Sequence, residues 1–269
     1  MSSVVITGSS KGIGRGLAEQ FVRRGHDVVV TARNAEQVQK AAAELSAIGP
    51  GRAIGTVCDV TRKSDVEALW QAAVAAYGRV DFWINNAGNA TAQFDVHEMP
   101  EAMVHKLIDG NLKGTVFGSQ VALAGMRSQG GGALYNMLGG SFGGGRLTPR
   151  MGVYSSTKAA VFKLTQYLAE ESKGTGVLVA SISPGMLISD NWFAEQQRMT
   201  QPEWVKIRPM LNILCDYVET ATPWIVEQVL ANHESGKRIA WLTNGKIMRR
   251  FFNAFVLRQK RDLFTRFGL

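Results

Sequence analysis

Val4-Val5-Ile6-Thr7-Gly8-Ser9-Ser10-Lys11-Gly12-Ile13-Gly14 runs from an apolar, β-branched segment through a glycine-rich turn into an amphipathic stretch. A segment apolar at successive positions reads as a strand buried on both faces, as parallel sheets require. Glycines in the turn allow positive φ and let backbone N–H groups approach a diphosphate at the positive end of the following helix. The spacing Gly-x-x-x-Gly-x-Gly in this strand–turn–helix context therefore predicts a dinucleotide site built from Gly8, Ser10, Lys11, Gly12, Ile13 and Gly14. Leu17, Ala18, Phe21 and Val22 then share one helical face that stops at Gly25.

The same rhythm recurs along the chain. Short apolar runs at 4–7, 27–31, 52–58, 80–84, 133–138, 177–183 and 239–242 alternate with stretches of helical period, of which 101–127 and 152–173 are the longest. Parallel strands need helical crossovers, so the pattern predicts an α/β, doubly wound parallel sheet of about seven strands with helices on both faces. A chain of 269 residues, 45% hydrophobic and 19% charged, suffices for one such domain. We assign it to residues 1–245, with 246–269 as a separate extension.

Composition excludes several classes. Residues 237–269 hold nine Lys or Arg against one acid, Asp262, which accounts for the whole net charge of +8. The preceding residues balance, so the basic character belongs to a tail and no nucleic-acid-binding body is expected. Cys58 and Cys215 lack metal-type spacing and the four His residues are scattered, so neither a metal site nor a disulfide is expected. With no secretory signal before Val4 and no apolar run long enough for a bilayer, the expected location is cytoplasmic.

The end of the second strand bears on the choice of dinucleotide. An acid there would bind a ribose 2′-hydroxyl, whereas this chain has Thr31-Ala32-Arg33. Arg33 and Lys11 suit a 2′-phosphate, which favours NADP(H). Asp59 and Val60, after the third strand, are expected over the adenine. Asn86, Ala87 and Gly88, after the fourth, are expected to line the cofactor crevice.

Tyr154-Ser155-Ser156-Thr157-Lys158 places a phenol and an ammonium on one face of a helix. A neighbouring ammonium favours the phenolate, so Lys158 is expected to lower the Tyr154 pKa from about 10 toward neutrality and make it an acid–base group.

Thr7-Gly8-Ser9-Ser10-Lys11-Gly12-Ile13-Gly14, Asn85-Asn86-Ala87-Gly88, Asn111, Ser141, Tyr154 to Lys158 and Pro184-Gly185 together resemble the short-chain dehydrogenase/reductase family, in its single-domain branch, over nearly the whole chain. The resemblance implies an NADP(H)-dependent oxidoreductase working between a hydroxyl and a carbonyl. Tyr154 would be the general acid or base, Lys158 would tune it and hold the nicotinamide ribose, and Asn111 would position a relay water. Pro184, Gly185, Leu187 and Ser189 would hold the carboxamide. The family's serine is open to two readings, since counting from the strand points to Gly139 and counting back thirteen residues from Tyr154 points to Ser141. We choose Ser141, because a second donor to the substrate oxygen needs a hydroxyl. The family further implies a homodimer or homotetramer associating through the two long helices. Two other activities stay open: a non-catalytic NADP(H) sensor or scaffold, and an epimerase or dehydratase on the same fold.

Residues 186–215 fall where the family carries its substrate lid. They include Met186, Leu187, Trp192, Phe193, Met199, Trp204, Met210 and Leu211, a surface suited to an apolar, cyclic or long-chain substrate, although part of it can be the lid's own core. Asn136-Met137 followed by glycines and a serine is similar to the plant chlorophyll b reductases, which reduce a formyl group on a bulky tetrapyrrole; too few residues match to name a substrate. In 246–269, Ile247, Met248, Phe251, Phe252, Phe255 and Val256 recur at helical spacing among Arg and Lys. Such a basic amphipathic helix either makes peripheral contact with an anionic membrane or packs on its own subunit or an oligomer partner.

Overall fold

The computed structural model describes residues 1–91, 94–140, 147–189, 196–197 and 199–269. Seven strands form one parallel sheet: β1 (Ser3–Ile6), β2 (Asp27–Ala32), β3 (Ala53–Val57), β4 (Phe82–Asn85), β5 (Gly132–Met137), β6 (Val177–Ser183) and, further on, β9 (Arg238–Ala240). Their spatial order is β3-β2-β1-β4-β5-β6-β9, with every pairing parallel. This is the doubly wound sheet expected from the alternating pattern, and its order reverses between β1 and β4. At such a reversal the connections leave on opposite faces and open a crevice at the carboxyl ends of the strands.

Helices cover both faces. Leu17, Ala18, Phe21 and Val22 of α1 (Gly12–Arg23) are fully buried, and they join Leu45 of α2 (Ala35–Ser46) and Ile225 and Val229 of α8 (Val218–Leu230) against one face. On the other, Leu69 and Trp70 of α3 (Lys63–Tyr77) pack with Ala122 and Met126 of α5 (Gly114–Ser128) and Ala169 of α6 (Gly152–Glu171). Gly25 has φ of 81°, the left-handed conformation that ends α1 without a Cβ clash. The stretch expected as one helix over 101–127 is interrupted: α4 (Glu101–Ile108) joins α5 through a π-helical turn at Asp109–Lys113.

Two elements escaped the sequence pattern. β7 (Met186–Ile188) and β8 (Cys215–Tyr217) are three-residue strands forming a small parallel sheet, one at each end of a segment that includes α7 (Gln201–Leu214). The C-terminal helix, α9 (Asn244–Phe255), is shorter than the amphipathic stretch suggested. Arg258 takes φ of 53° and the chain turns back, burying Leu263 and Phe264 with Ile188, Trp204, Leu211 and Cys215. Asp216, 4% exposed, anchors this return: it accepts from Arg250 at 2.5 Å, Arg261 at 2.7 Å and the Trp241 indole at 2.7 Å.

Candidate active site

The glycine turn is tied to its surroundings by side chains that sequence reading passed over. Ser9, fully buried, donates to the Ile6 carbonyl at 2.6 Å and accepts from the Thr31 N–H at 3.0 Å, so the turn is fastened to the end of β2. That places Lys11 and Arg33 at the same sheet end; both are exposed, with no ion pair or hydrogen bond among the described residues. Across the reversal, Thr7 Oγ1 accepts from the N–H groups of Asn86 and Ala87, each at 3.0 Å. The Asn86 side chain donates back to the carbonyls of Thr7 at 2.8 Å and Gly8 at 3.1 Å.

These contacts leave no room for a side chain at Gly8 or Gly14. Gly8 has φ of 66°, and a Cβ there would stand 2.9 Å from the Ala87 Cα; a Cβ on Gly14 would stand 2.5 Å from Asn86 Nδ2. Bare backbone at a helix N-terminus, opposite exposed cations, fits a dinucleotide diphosphate. The Pro184-Gly185 turn follows β6 at the same carboxyl end of the sheet. Gly185 has φ of 75°, Leu187 is buried in β7, and the Ser189 Cβ lies 3.8 Å from where a Cβ on Gly12 would be. Ser189 therefore lies near the glycine turn.

Asp59 and Val60 follow β3 at the carboxyl end of the sheet. Asp59 Oδ1 accepts from the N–H of Thr61 at 3.0 Å and its hydroxyl at 2.8 Å, while Val60 fits against Gly114, the first residue of α5. Gly88 links crevice to chemistry. A Cβ on it would meet Asn111 Oδ1 at 2.8 Å and Lys158 Nζ at 3.5 Å, so both groups crowd the same face of the glycine.

Asn111 is fully buried in the π-helical turn, where the extra residue aims its amide inward. Its Oδ1 accepts from the Asn89 N–H at 2.7 Å, and its Nδ2 donates to the Asn89 carbonyl at 2.9 Å and to Thr157 Oγ1 at 3.1 Å. Thr157 in turn donates to the Tyr154 carbonyl at 2.7 Å, connecting the turn to the first coil of α6. Thr157 lay inside the Tyr154–Lys158 motif and still went unremarked, because its spacing advertises no chemistry.

The electrostatics differ from the sequence expectation. Burial pushes the Tyr154 phenol up to about 12 and pulls the Lys158 ammonium down to about 8. Lys158 is 5% exposed, and its Nζ donates to the Met137 carbonyl at 3.0 Å. Desolvation disfavours the charged form of both groups, and it alone moves the phenol away from neutrality, against the Coulomb assistance expected from the spacing.

Gly139, the position reached by counting from β5, lies against Tyr154: a Cβ there would collide with the phenolic oxygen. A side chain at 139 would thus displace the phenol, which gives the glycine a steric reason. Ser141 lies outside the described residues, as do Trp192 and Phe193. Of the other apolar residues expected over the substrate, Leu187, Trp204 and Leu211 are buried, whereas Met186 and Met210 are 40% and 45% exposed. Behind the site, Asn85 Nδ2 donates to Asn136 Oδ1 at 2.9 Å and Asn136 Nδ2 to Thr165 Oγ1 at 2.9 Å, a buried ladder holding β4, β5 and α6 in register.

Comparison with known proteins agrees with this geometry. A family model described as short chain dehydrogenase matches residues 2–199. The "Probable chlorophyll(ide) b reductase NYC1, chloroplastic" of Arabidopsis thaliana is 31% identical over 263 residues, covering 91% of this chain and 51% of that protein. The chain thus spans about half the length of that relative. The "Chlorophyll(ide) b reductase NOL, chloroplastic" of Oryza sativa subsp. japonica is 32% identical over 273 residues, covering 98% of this chain and 78% of that protein. A solved short-chain type dehydrogenase/reductase from Mycobacterium marinum superposes with a TM-score of 0.78 at 26% identity, covering 89% of this chain and 93% of that one.

Proposed function

Since the chain belongs to the short chain dehydrogenase family, we propose that it reduces a carbonyl group of a bulky, apolar, cyclic substrate with NADPH. The observation that carries the chemistry is the convergence of Tyr154, Lys158 and Asn111 on Gly88 and Gly139 at the carboxyl ends of β4 and β5. The substrate class rests on the relatives named as chlorophyll(ide) b reductases, one of which aligns with 98% of this chain.

A bound nicotinamide dinucleotide supplies the hydride. Gly8, Gly12 and Gly14 would hold its diphosphate, Arg33 and Lys11 its 2′-phosphate, and Ser189 its carboxamide end. Tyr154 Oη donates a proton to the substrate oxygen as negative charge develops there, with Ser141 as second donor. A phenol pushed up to about 12 holds its proton throughout the neutral range, so the group carries the proton that reduction consumes. Lys158, protonated below about 8, stabilises the phenolate left behind and returns a proton to it, and solvent replaces that proton on Lys158 through the polar groups around Asn111.

The test is NADPH oxidation by purified protein against formyl-chlorin, steroid, quinone, terpenoid and fatty-acyl carbonyls. Turnover highest with the formyl chlorin is expected. Absence of turnover with every carbonyl would overturn the reductase reading, and turnover confined to linear fatty-acyl carbonyls would overturn the cyclic substrate.

A further inference from the structure

The C-terminal helix has one broad apolar surface, continuous through the stacked rings of Phe251 and Phe255, and only its inner part meets the protein. Arg250, on the inner face, is tied to Asp216 and to the carbonyls of Ile213 and Leu214, with Ile247, Phe251 and Ala254 partly buried beside it. The outer face is fixed in place by that anchoring. It carries Met248, Phe252, Phe255 and Val256, at i, i+4, i+7 and i+8, followed by Leu257; they are 72%, 53%, 71%, 61% and 52% exposed. Scattered apolar side chains are ordinary on a surface, but a contiguous group on one helical face marks a contact surface.

The charges beside it select the occupant. Arg249, Arg258 and Lys260 are exposed around this face, with no ion pair or hydrogen bond among the described residues, and 237–261 contains no acidic residue. A second copy docking through the same face would bring these cations against their own images with no carboxylate to balance them. An anionic lipid surface offers both an apolar layer for the aromatic and aliphatic side chains and the opposite charge for the cations. No helix among the described residues is long and apolar enough to cross a membrane.

We propose that the outer face of α9 and the turn after it, residues 248–260, docks peripherally on an anionic bilayer, with Met248, Phe252, Phe255, Val256 and Leu257 in the interfacial layer and Arg249, Arg258 and Lys260 among the headgroups. This surface is independent of the redox chemistry proposed above. Its test is binding and not turnover.

The experiment is sedimentation of the full-length protein with vesicles of phosphatidylcholine alone or mixed with phosphatidylglycerol. Binding to the mixed vesicles, weakened by added NaCl, and little binding to phosphatidylcholine alone are expected. The pair Met248→Ser with Phe255→Ser is expected to abolish binding while unfolding stays cooperative, with only the small loss from the Phe251–Phe255 ring stack. In the pair Arg249→Gln with Lys260→Gln, each charge removed lowers partitioning about fivefold. No binding to mixed vesicles, or binding untouched by both pairs, would overturn the proposal. So would lipid-free self-association that disappears in the Met248/Phe255 pair, which would make this face an interface between copies.

Discussion

Lys158 Nζ donates to the carbonyl oxygen of Met137 at 3.0 Å, so the ammonium of α6 is held at the carboxyl end of β5 and shielded from water. Burial lowers its pKa from 10.5 to about 8. Between those values the unfolded chain binds a proton that the folded chain has released, so this group makes stability rise with pH across that window. Below about 8 the cost of burying the charge is fully present. We expect ligand-free Lys158→Met to be more stable than wild type at pH 7 by up to about 3 kcal/mol, the difference vanishing near pH 10.5. Urea unfolding across this range checks it, and a pH-independent difference would contradict it.

Arg33 stands exposed at the end of β2, immediately before Asn34, whose Oδ1 caps α2 by accepting from the Gln37 N–H at 2.8 Å. A charge-assisted contact to a 2′-phosphate is worth about 10- to 100-fold in affinity, and a 2′-hydroxyl gains little from it. Arg33→Ala is expected to weaken NADPH by that factor and NADH by less than about threefold. Titration of both dinucleotides by fluorescence decides it; equal losses would refute the choice of NADP(H).

Asp216 joins β8 to α9 and to the returning tail. Its side chain is 5% exposed, as against 11% for Arg250 and 33% for Arg261. Removing the acid leaves a buried guanidinium without its counter-charge, whereas removing Arg261 leaves Asp216 still paired. Asp216→Ala is therefore expected to cost about 3 kcal/mol and Arg261→Ala about 1 kcal/mol in urea unfolding. Hydrogen exchange at 256–269 should accelerate in the first variant more than in the second.

Much of this architecture was legible in the sequence because it follows from local pattern. The buried strands are apolar at successive positions, as in Val28-Val29-Val30, and the glycines of the turn announce themselves by spacing. What escaped was set by contacts distant along the chain. Asp216 reads as an ordinary acid until Arg250 and Arg261 arrive from 34 and 45 residues away. β7 and β8 are too short to show a period, and nothing in Asn111 alone foretells a π-helical turn. The Tyr154 pKa departs from the sequence expectation for a related reason: spacing reveals the neighbouring charge, while desolvation depends on every element packed around the pair.

The central claim is that Tyr154 donates the proton. Tyr154→Phe keeps the ring and removes only the hydroxyl beside Gly139, so NADPH affinity should stay within about threefold of wild type while carbonyl reduction falls by about 100-fold or more. NADPH oxidation with the best carbonyl substrate, measured alongside NADPH binding, is the direct test: loss of turnover with binding retained is the predicted result, and turnover near the wild-type rate in the phenylalanine variant would contradict it.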